Sequence, residues 1–498
     1  MQFVARTRSE RPGSPLRLLP KVRAAARCKR RCSCSSSPFL ARLSAIHAAT
    51  ICSGSAETLR PVPLHSRPSQ ASHPATAIFR QTLGANPCYF PTGTQKRFPT
   101  FSLKNRLVTD ITPLSFRSSL EEYQKQAEEL FEALRAGDPG AIQLVRHKHP
   151  RFLDASIPWL PKNLSDSEVR SVTLELADAQ LAIARWYDFE SWPRLAEYVK
   201  AVTQEGSPVS KFESAVEAVI TGDVARLQSL LRENPDLVRA RSTRVTHFDP
   251  PAHRATLLHY VAANGVEGYR QRTPNNAVEV ATILLKAGAE VDALAGMYGG
   301  EHTTMSMLVS SCHPAKAGVQ VALVETLLDF GAAIDGRGSG EWTSPLMTAL
   351  AFGYRSAAEA LVRRGARVNT AAAAAGLGRL ADAAQLLAMA SSEDRHCALA
   401  LAAQHGHVEI VRLLLDAGED PNRYNPKGNH GHSTPLHQAV WSGHDAVVWL
   451  LVERGARLDI RDSIYQGTPL GWAEYGGRTK IAEYLRAQGG KTAEEIEP

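Results

Sequence analysis

The sequence predicts an all-α solenoid of about eight helix–turn–helix units, joined by β-turn fingers and preceded by a helical cap. The first observation is a near duplication. Thr434-Pro435-Leu436-His437-Gln438-Ala439 recurs 34 residues later as Thr468-Pro469-Leu470-Gly471-Trp472-Ala473, and a fixed period of that length means one supersecondary unit stacked on copies of itself. The second is a closing turn written five times: Gly288-Ala289-Glu290-Val291-Asp292, Gly331-Ala332-Ala333-Ile334-Asp335, Gly365-Ala366-Arg367-Val368-Asn369, Gly418-Glu419-Asp420-Pro421-Asn422 and Gly455-Ala456-Arg457-Leu458-Asp459. Glycine suits the left-handed position that ends a helix, and Asp or Asn suits the following turn because its side chain bonds nearby backbone amides. The third is an apolar run ahead of each turn, such as Leu413-Leu414-Leu415 and Leu450-Leu451, which a repeat buries against its neighbours.

Residues 1–110 read differently. Of these, 1–109 hold 18 Lys+Arg against two acids, Glu10 and Glu57, a balance of +16; the remaining 389 residues hold 39 bases and 48 acids, or −9. The overall charge of +7 therefore hides an acidic body, which opposes nucleic-acid binding because phosphate contacts need clustered Lys and Arg. Rich in Arg, Ser and Pro and without apolar periodicity, the tail is expected to be disordered and to bury no core. Its composition is that of an organellar transit peptide; the competing reading is an extension that is no part of the working protein. Cys28, Cys32 and Cys34 lack the paired spacing of a zinc site. No stretch approaches the roughly 18 uncharged apolar residues of a membrane span, so no membrane partner is expected. The expected location is cytoplasmic, or an organelle if the tail is a transit peptide.

A helical lead-in is expected over 118–205. Ser119-Leu120-Glu121-Glu122 is a capping box, followed by Tyr123, Ala127, Leu130 and Leu134 at helical spacing until Gly137. Asp138 caps a second helix with Pro139 at its first position. A longer helix is expected over 167–187, and Ser191-Trp192-Pro193 opens a last one. Gly137-Asp138 precedes Pro150 by the same interval as Gly222-Asp223 precedes Pro235, with apolar positions matched between them. Both segments read as degenerate repeat units, and 118–205 is expected to shield the apolar face of the first full repeat.

Across 211–490 the Thr-Pro-Leu-His start, the two short helices and the Gly-Ala-x-x-Asp/Asn turn resemble the ankyrin repeat, most like that of bacterial ankyrin proteins. Inner helices are expected to start near Thr256, Thr304, Ser344, Cys397, Thr434 and Thr468. The resemblance implies that His259 and His437 tie down the adjoining loop. It also implies that the two residues before each mid-repeat glycine face a concave groove, namely Ala351-Phe352, Gln404-His405, Trp441-Ser442 and Tyr475-Gly476. Phe352, Trp441 and Tyr475 are thus expected to be exposed, and such aromatics anchor protein interfaces. Tyr424, His430 and His432 on the neighbouring finger join this candidate partner-binding set.

Successive turn glycines lie 43, 34, 53 and 37 residues apart, the longest interval spanning an alanine-rich unit, 371–387, without a turn motif. Extra residues lengthen two helix-to-helix links, 265–276 and 312–320, and two fingers, 294–303 and 423–433, which are expected to tolerate change. His430, His432, His437 and His444 lie close together in sequence, so a hydrolase or metal-dependent site in 423–444 is the alternative function. No nucleophile elbow, phosphate loop or dinucleotide fingerprint is present. The sequence therefore points to a non-catalytic scaffold for a protein or peptide, with no cofactor.

Overall fold

A computed structural model describes residues 111–248 and 250–496; the expectations for the basic tail lie outside the described residues. Five helices come first: α1 (Leu120–Arg135), α2 (Pro139–Lys148), α3 (Asp166–Ser171), α4 (Leu176–Trp186) and α5 (Trp192–Thr203). They enclose an apolar cluster in which Tyr123, Ile142, Val145, Ile183 and Leu195 are buried. Both bonds of the Ser119/Glu122 capping box form, and the Asp138 carboxylate accepts from the Ala141 amide at 2.9 Å. The helix expected over 167–187 is broken in two. The Ser171 hydroxyl bonds back to the Glu168 carbonyl, and the Asp178 carboxylate takes the Glu175 amide, which restarts the chain as α4.

Eight helix pairs follow. They are α6 (Pro208–Thr221) with α7 (Val224–Glu233), α8 (Leu257–Ala262) with α9 (Ala277–Lys286), and α10 (Thr304–Leu308) with α12 (Gln320–Asp329), the short α11 (Cys312–Lys316) lying between these two. Next come α13 (Pro345–Ala351) with α14 (Arg355–Arg363), α15 (Ala371–Gly376) with α16 (Leu380–Leu387), and α17 (Ser392–His405) with α18 (Val408–Asp416). The last are α19 (Pro435–Ser442) with α20 (Asp445–Glu453) and α21 (Pro469–Tyr475) with α22 (Thr479–Ala487), and α23 (Ala493–Ile496) follows them. One contiguous apolar cluster runs from Phe212 to Leu485. The matched Gly-Asp segments fold alike: α2 and α7 are each ten residues long, capped by the aspartate, and followed by a 3₁₀ turn opening at Pro150 or Pro235.

The turn motif acts between repeats as well as within them. The Asp292 carboxylate accepts from the Ala333 amide (3.1 Å), Asp335 from Arg367 (3.4 Å) and Asn422 from Arg457 (2.7 Å), each in the next turn along the stack. The alanine-rich pair interrupts this ladder. It has no finger, because α16 ends at Leu387 and Ser391 already caps α17. The sixth inner helix therefore starts at Ser392, and Cys397 lies inside it. Two of the fingers pair as a small antiparallel sheet, β1 (Ala295–Met297), β2 (Gly300–His302) and β3 (Gly338–Ser339), in that order.

Two of the long insertions are structural. In finger 423–433, Asn425, Asn429, His430, His432 and Ser433 are buried, which corrects the expectation that this finger tolerates replacement. With no finger on the fifth pair, the chain folds back past it, and the His430 Nε2 donates to the Ala351 carbonyl of the fourth pair at 2.7 Å. Link 265–276 lies under the first five helices. There Arg244, buried, meets Glu267 (Nε to Oε1, 3.1 Å), donates to the Tyr187 carbonyl (2.8 Å) and lies 4.3 Å from the Phe189 ring centre. Arg270 pairs with Glu213 and donates to the Tyr198 hydroxyl at 3.2 Å, and the Gly268 amide donates to Asp188 at 2.6 Å. Burial alone would raise the Glu267 carboxyl, but Arg244 and His253 hold it well below the usual carboxylate range. This paired network ties the lead-in helices to the stack; removing one partner of such a buried pair typically costs about 3–5 kcal/mol.

Gly455 (φ +87°) and Gly406 (φ +79°) share a left-handed backbone but not their surroundings. A Cβ on Gly455 meets open space, whereas one on Gly406 would stand 2.6 Å from the His444 ring. Gly455→Ala should therefore lower stability by about 1 kcal/mol through strain alone. Gly406→Ala should lower it by roughly 1 kcal/mol more, because displacing His444 also breaks its bond to the Gln404 carbonyl (3.0 Å). Equal midpoints in urea unfolding would contradict this difference.

Candidate functional site

The candidate residues lie at the ends of the inner helices. Phe352 follows α13, Gln404 and His405 end α17, Trp441 and Ser442 end α19, and Tyr475 ends α21. They occupy the two positions ahead of the left-handed glycines Gly353, Gly406, Gly443 and Gly477, Phe352, His405 and Ser442 directly before and Gln404, Trp441 and Tyr475 one residue earlier, so they recur at the same end of each of these inner helices. The rings form a continuous column. Trp342 meets Phe352 edge-on at 4.9 Å between centres, Phe352 lies 6.3 Å from His430, and His430 lies 6.1 Å from His432. His432 lies 5.9 Å from Trp472, Trp472 5.9 Å from Trp441, and Trp441 stacks on Tyr475 at 6.4 Å.

Phe352, Trp441 and Tyr475 are half-buried, short of the full exposure expected of them, because each packs against the next ring in the column. Ser442 and His405 are also half-buried, and Tyr424 is 41% exposed with its hydroxyl on the Arg461 carbonyl. Gln404, His430 and His432 are buried. Gln404 donates to the Ala351 carbonyl and His405 to the Leu350 carbonyl, each at 2.8 Å, so both brace the sixth pair against the fourth across the fingerless fifth. Phe352, Trp441, Tyr475 and Tyr424 thus keep part of their rings open, with His430 and His432 buried behind them. Such a surface offers aromatic faces and few charges, suited to apolar or planar side chains.

Three of the four imidazoles in 423–444 are engaged with backbone. Besides His430, the His437 Nε2 donates to the Gly467 carbonyl (3.2 Å) and the His444 Nε2 to that of Gln404. The Thr434 amide and hydroxyl meet the other His437 nitrogen, at 3.4 and 2.8 Å. His259 repeats this arrangement between Thr256 and the His302 carbonyl, as the loop-tying role implied. The Gly-His positions form a second inter-repeat ladder: His407 to Gly376 (3.1 Å), His444 to Gln404, then Arg478 to the Trp441 carbonyl (2.7 Å). Among the described residues, no group of three or more His, Cys, Asp or Glu is placed to hold a metal ion.

Asp462 was not legible as a positioning group. Fully buried, it accepts from the Ile464, Tyr465 and Gly467 amides (3.0, 2.6 and 2.8 Å) and from the Trp472 indole (3.0 Å), fixing the last finger and the ring that links His432 to Trp441. Burial raises its carboxyl. A lone Asp in a finger gives no sequence signal of this role beyond Gly467 five residues on.

Comparison with known proteins agrees with this architecture. Residues 370–462 match the family model described as ankyrin repeats (3 copies). A segment of the chain is 35% identical over 121 residues to the cyclin-dependent kinase 4 inhibitor B of Bos taurus, spanning 18% of this chain and 92% of that protein. The ankyrin repeat and SAM domain-containing protein 6 of Mus musculus is 38% identical over 101 residues, 20% of this chain and 11% of the relative. The ankyrin repeat and KH domain-containing protein mask-1 of Caenorhabditis elegans is 31% identical over 219 residues, 42% of this chain and 8% of the relative. The chain belongs to the ankyrin-repeat family. It spans only about a tenth of the length of the mouse and nematode relatives. These relatives are animal proteins, so the likeness to bacterial ankyrin proteins draws no support from them.

Burial lowers His259, His405, His430 and His437 to about 4, against about 6.5 for an unfolded histidine. Between those values the unfolded chain binds protons that the folded chain refuses, so stability rises with pH there. It should be complete above about pH 7 and fall steeply as pH drops from about 6.5 towards 4, each such histidine contributing up to about 1.4 kcal/mol per pH unit. Melting temperature followed across this range checks the claim; a flat profile from pH 7 to 5 would refute it.

Proposed function

We propose that the protein is a non-catalytic scaffold that engages a protein or peptide through the groove and fingers of its ankyrin stack. The observation that carries this reading is the column of rings from Trp342 to Tyr475, whose members at Phe352, Trp441 and Tyr475 keep part of their surface open at the same end of their inner helices. Aromatic anchors of this kind dominate protein interfaces. The bovine relative, named as an inhibitor of cyclin-dependent kinase 4, is consistent with a stack that acts by binding. The acidic body disfavours nucleic acid. No described helix is long and apolar enough to cross a membrane. In this proposal 118–205 caps the first repeat, 211–490 carries the binding surface, and the protein works in the cytoplasm.

The hydrolase or metal-dependent reading of 423–444 is less well supported, because His430, His437 and His444 donate to backbone carbonyls that hold neighbouring repeats together.

Trp441 tests the proposal. Its carbonyl, not its ring, receives Arg478, so Trp441→Ala leaves that inter-repeat bond in place. Removing a central anchor should weaken partner binding by about 2 kcal/mol, roughly thirtyfold in Kd, with a smaller effect on melting temperature. A variant that melts early yet retains its partner would overturn the assignment.

A further inference from the structure

The lead-in contains a protrusion built for contact. Residues 153–161 leave and re-enter the first helical cluster through an antiparallel bridge between Leu153 and Pro161. Within it the Asp154 amide donates to the Leu160 carbonyl at 2.8 Å, and the Leu160 amide to that of Ile157 at 2.8 Å. The Asp154 carboxylate accepts from the Ser156 and Ile157 amides at 2.7 and 3.0 Å. The loop Asp154-Ala155-Ser156-Ile157-Pro158-Trp159-Leu160-Pro161 is therefore held by its own hydrogen bonds and two prolines, and little conformational freedom remains to be lost when it docks. It is also apolar at its end, where Ile157, Pro158, Trp159 and Leu160 run together.

Its tryptophan does not point into the lead-in cluster. Trp159 is absent from that core, yet its indole nitrogen is buried, and its ring lies edge-on to Tyr465 with 6.3 Å between centres. Tyr465 belongs to the last finger, some three hundred positions further along the chain, and its ring lies 6.1 Å from His432 in the aromatic column. Asp462 fixes the backbone beneath it through the Tyr465 amide. A preformed apolar loop thus ends on a preformed aromatic seat.

We infer that the 153–161 loop is an internal occupant of the binding surface, latched by Trp159 on Tyr465 at the C-terminal end of the ring column. Ligands that use the Trp441–Tyr475 end then compete with the chain's own loop, and the apolar, proline-flanked sequence of that loop indicates the chemistry the seat accepts: a short turn presenting a tryptophan between aliphatic and proline residues. The competition rests on the scaffold reading, whereas the latch itself is a contact within the isolated chain, whatever its partner.

The test is amide hydrogen exchange on the whole chain, comparing the wild type with Trp159→Ala and, separately, Tyr465→Ala. Trp159→Ala should speed exchange in 463–467, and Tyr465→Ala should speed it in 154–160. The expected factor is roughly 2 to 10, the opening equilibrium to which an aromatic pair corresponds. Helices α2 and α20 should be unchanged in both. If each variant alters exchange only in its own segment, the latch does not exist; should Trp159→Ala disturb the lead-in as a whole, the Tyr465→Ala arm decides.

Discussion

No helix pair in this stack buries its apolar face alone. Leu284, Leu327, Leu361, Leu414 and Leu451 are fully or almost fully buried because a neighbouring repeat lies over each of them. Everything else that the molecule does depends on that sequence of contacts being unbroken. Two ladders of directed bonds fix the register of the stack. On the finger side, Asp292, Asp335 and Asn422 reach the amide of the next turn. At the far ends of the inner helices, His407, His444 and Arg478 reach back to the carbonyls of the preceding repeat.

The alanine-rich fifth pair is where this arrangement is most exposed to failure. Its inner helix is six residues long, its finger is missing, and Asn369 has no following turn to receive it. Two substitutions restore continuity. Asp394 of the sixth inner helix takes the Ala371 and Ala372 amides at 3.0 and 3.1 Å, and the long finger places His430 on the Ala351 carbonyl, with Gln404 and His405 beside it. The aromatic column follows from this repair. Filling the gap left by an absent finger brings His430 and His432 between Phe352 and Trp472, and so joins rings from distant repeats into one surface.

The architecture was legible because the ankyrin turn is local: Gly at a left-handed helix end and Asp or Asn four residues on are fixed by backbone geometry within one unit. The positions of Phe352, Trp441 and Tyr475 were legible for the same reason, since the two residues before a mid-repeat glycine have fixed places in the repeat. Their half-burial was not, because it is set by Trp342, His430 and Trp472, which belong to other units. The same holds for Arg244 and Glu267, which nothing in their local sequence marks as a buried pair. His430 and His432 looked like candidate ligands because sequence gives their proximity to one another and not the carbonyl that one of them meets.

The central claim is that the stack is one cooperative body across the fingerless repeat. Native-state hydrogen exchange in increasing urea measures this directly, by reporting the opening free energy of α13 and α14 on one side and of α17 and α18 on the other. The account predicts that both flanks and the alanine-rich pair between them open together, with one shared free energy. Separate openings, with 371–387 exchanging well before its neighbours and the two flanks differing, would contradict it.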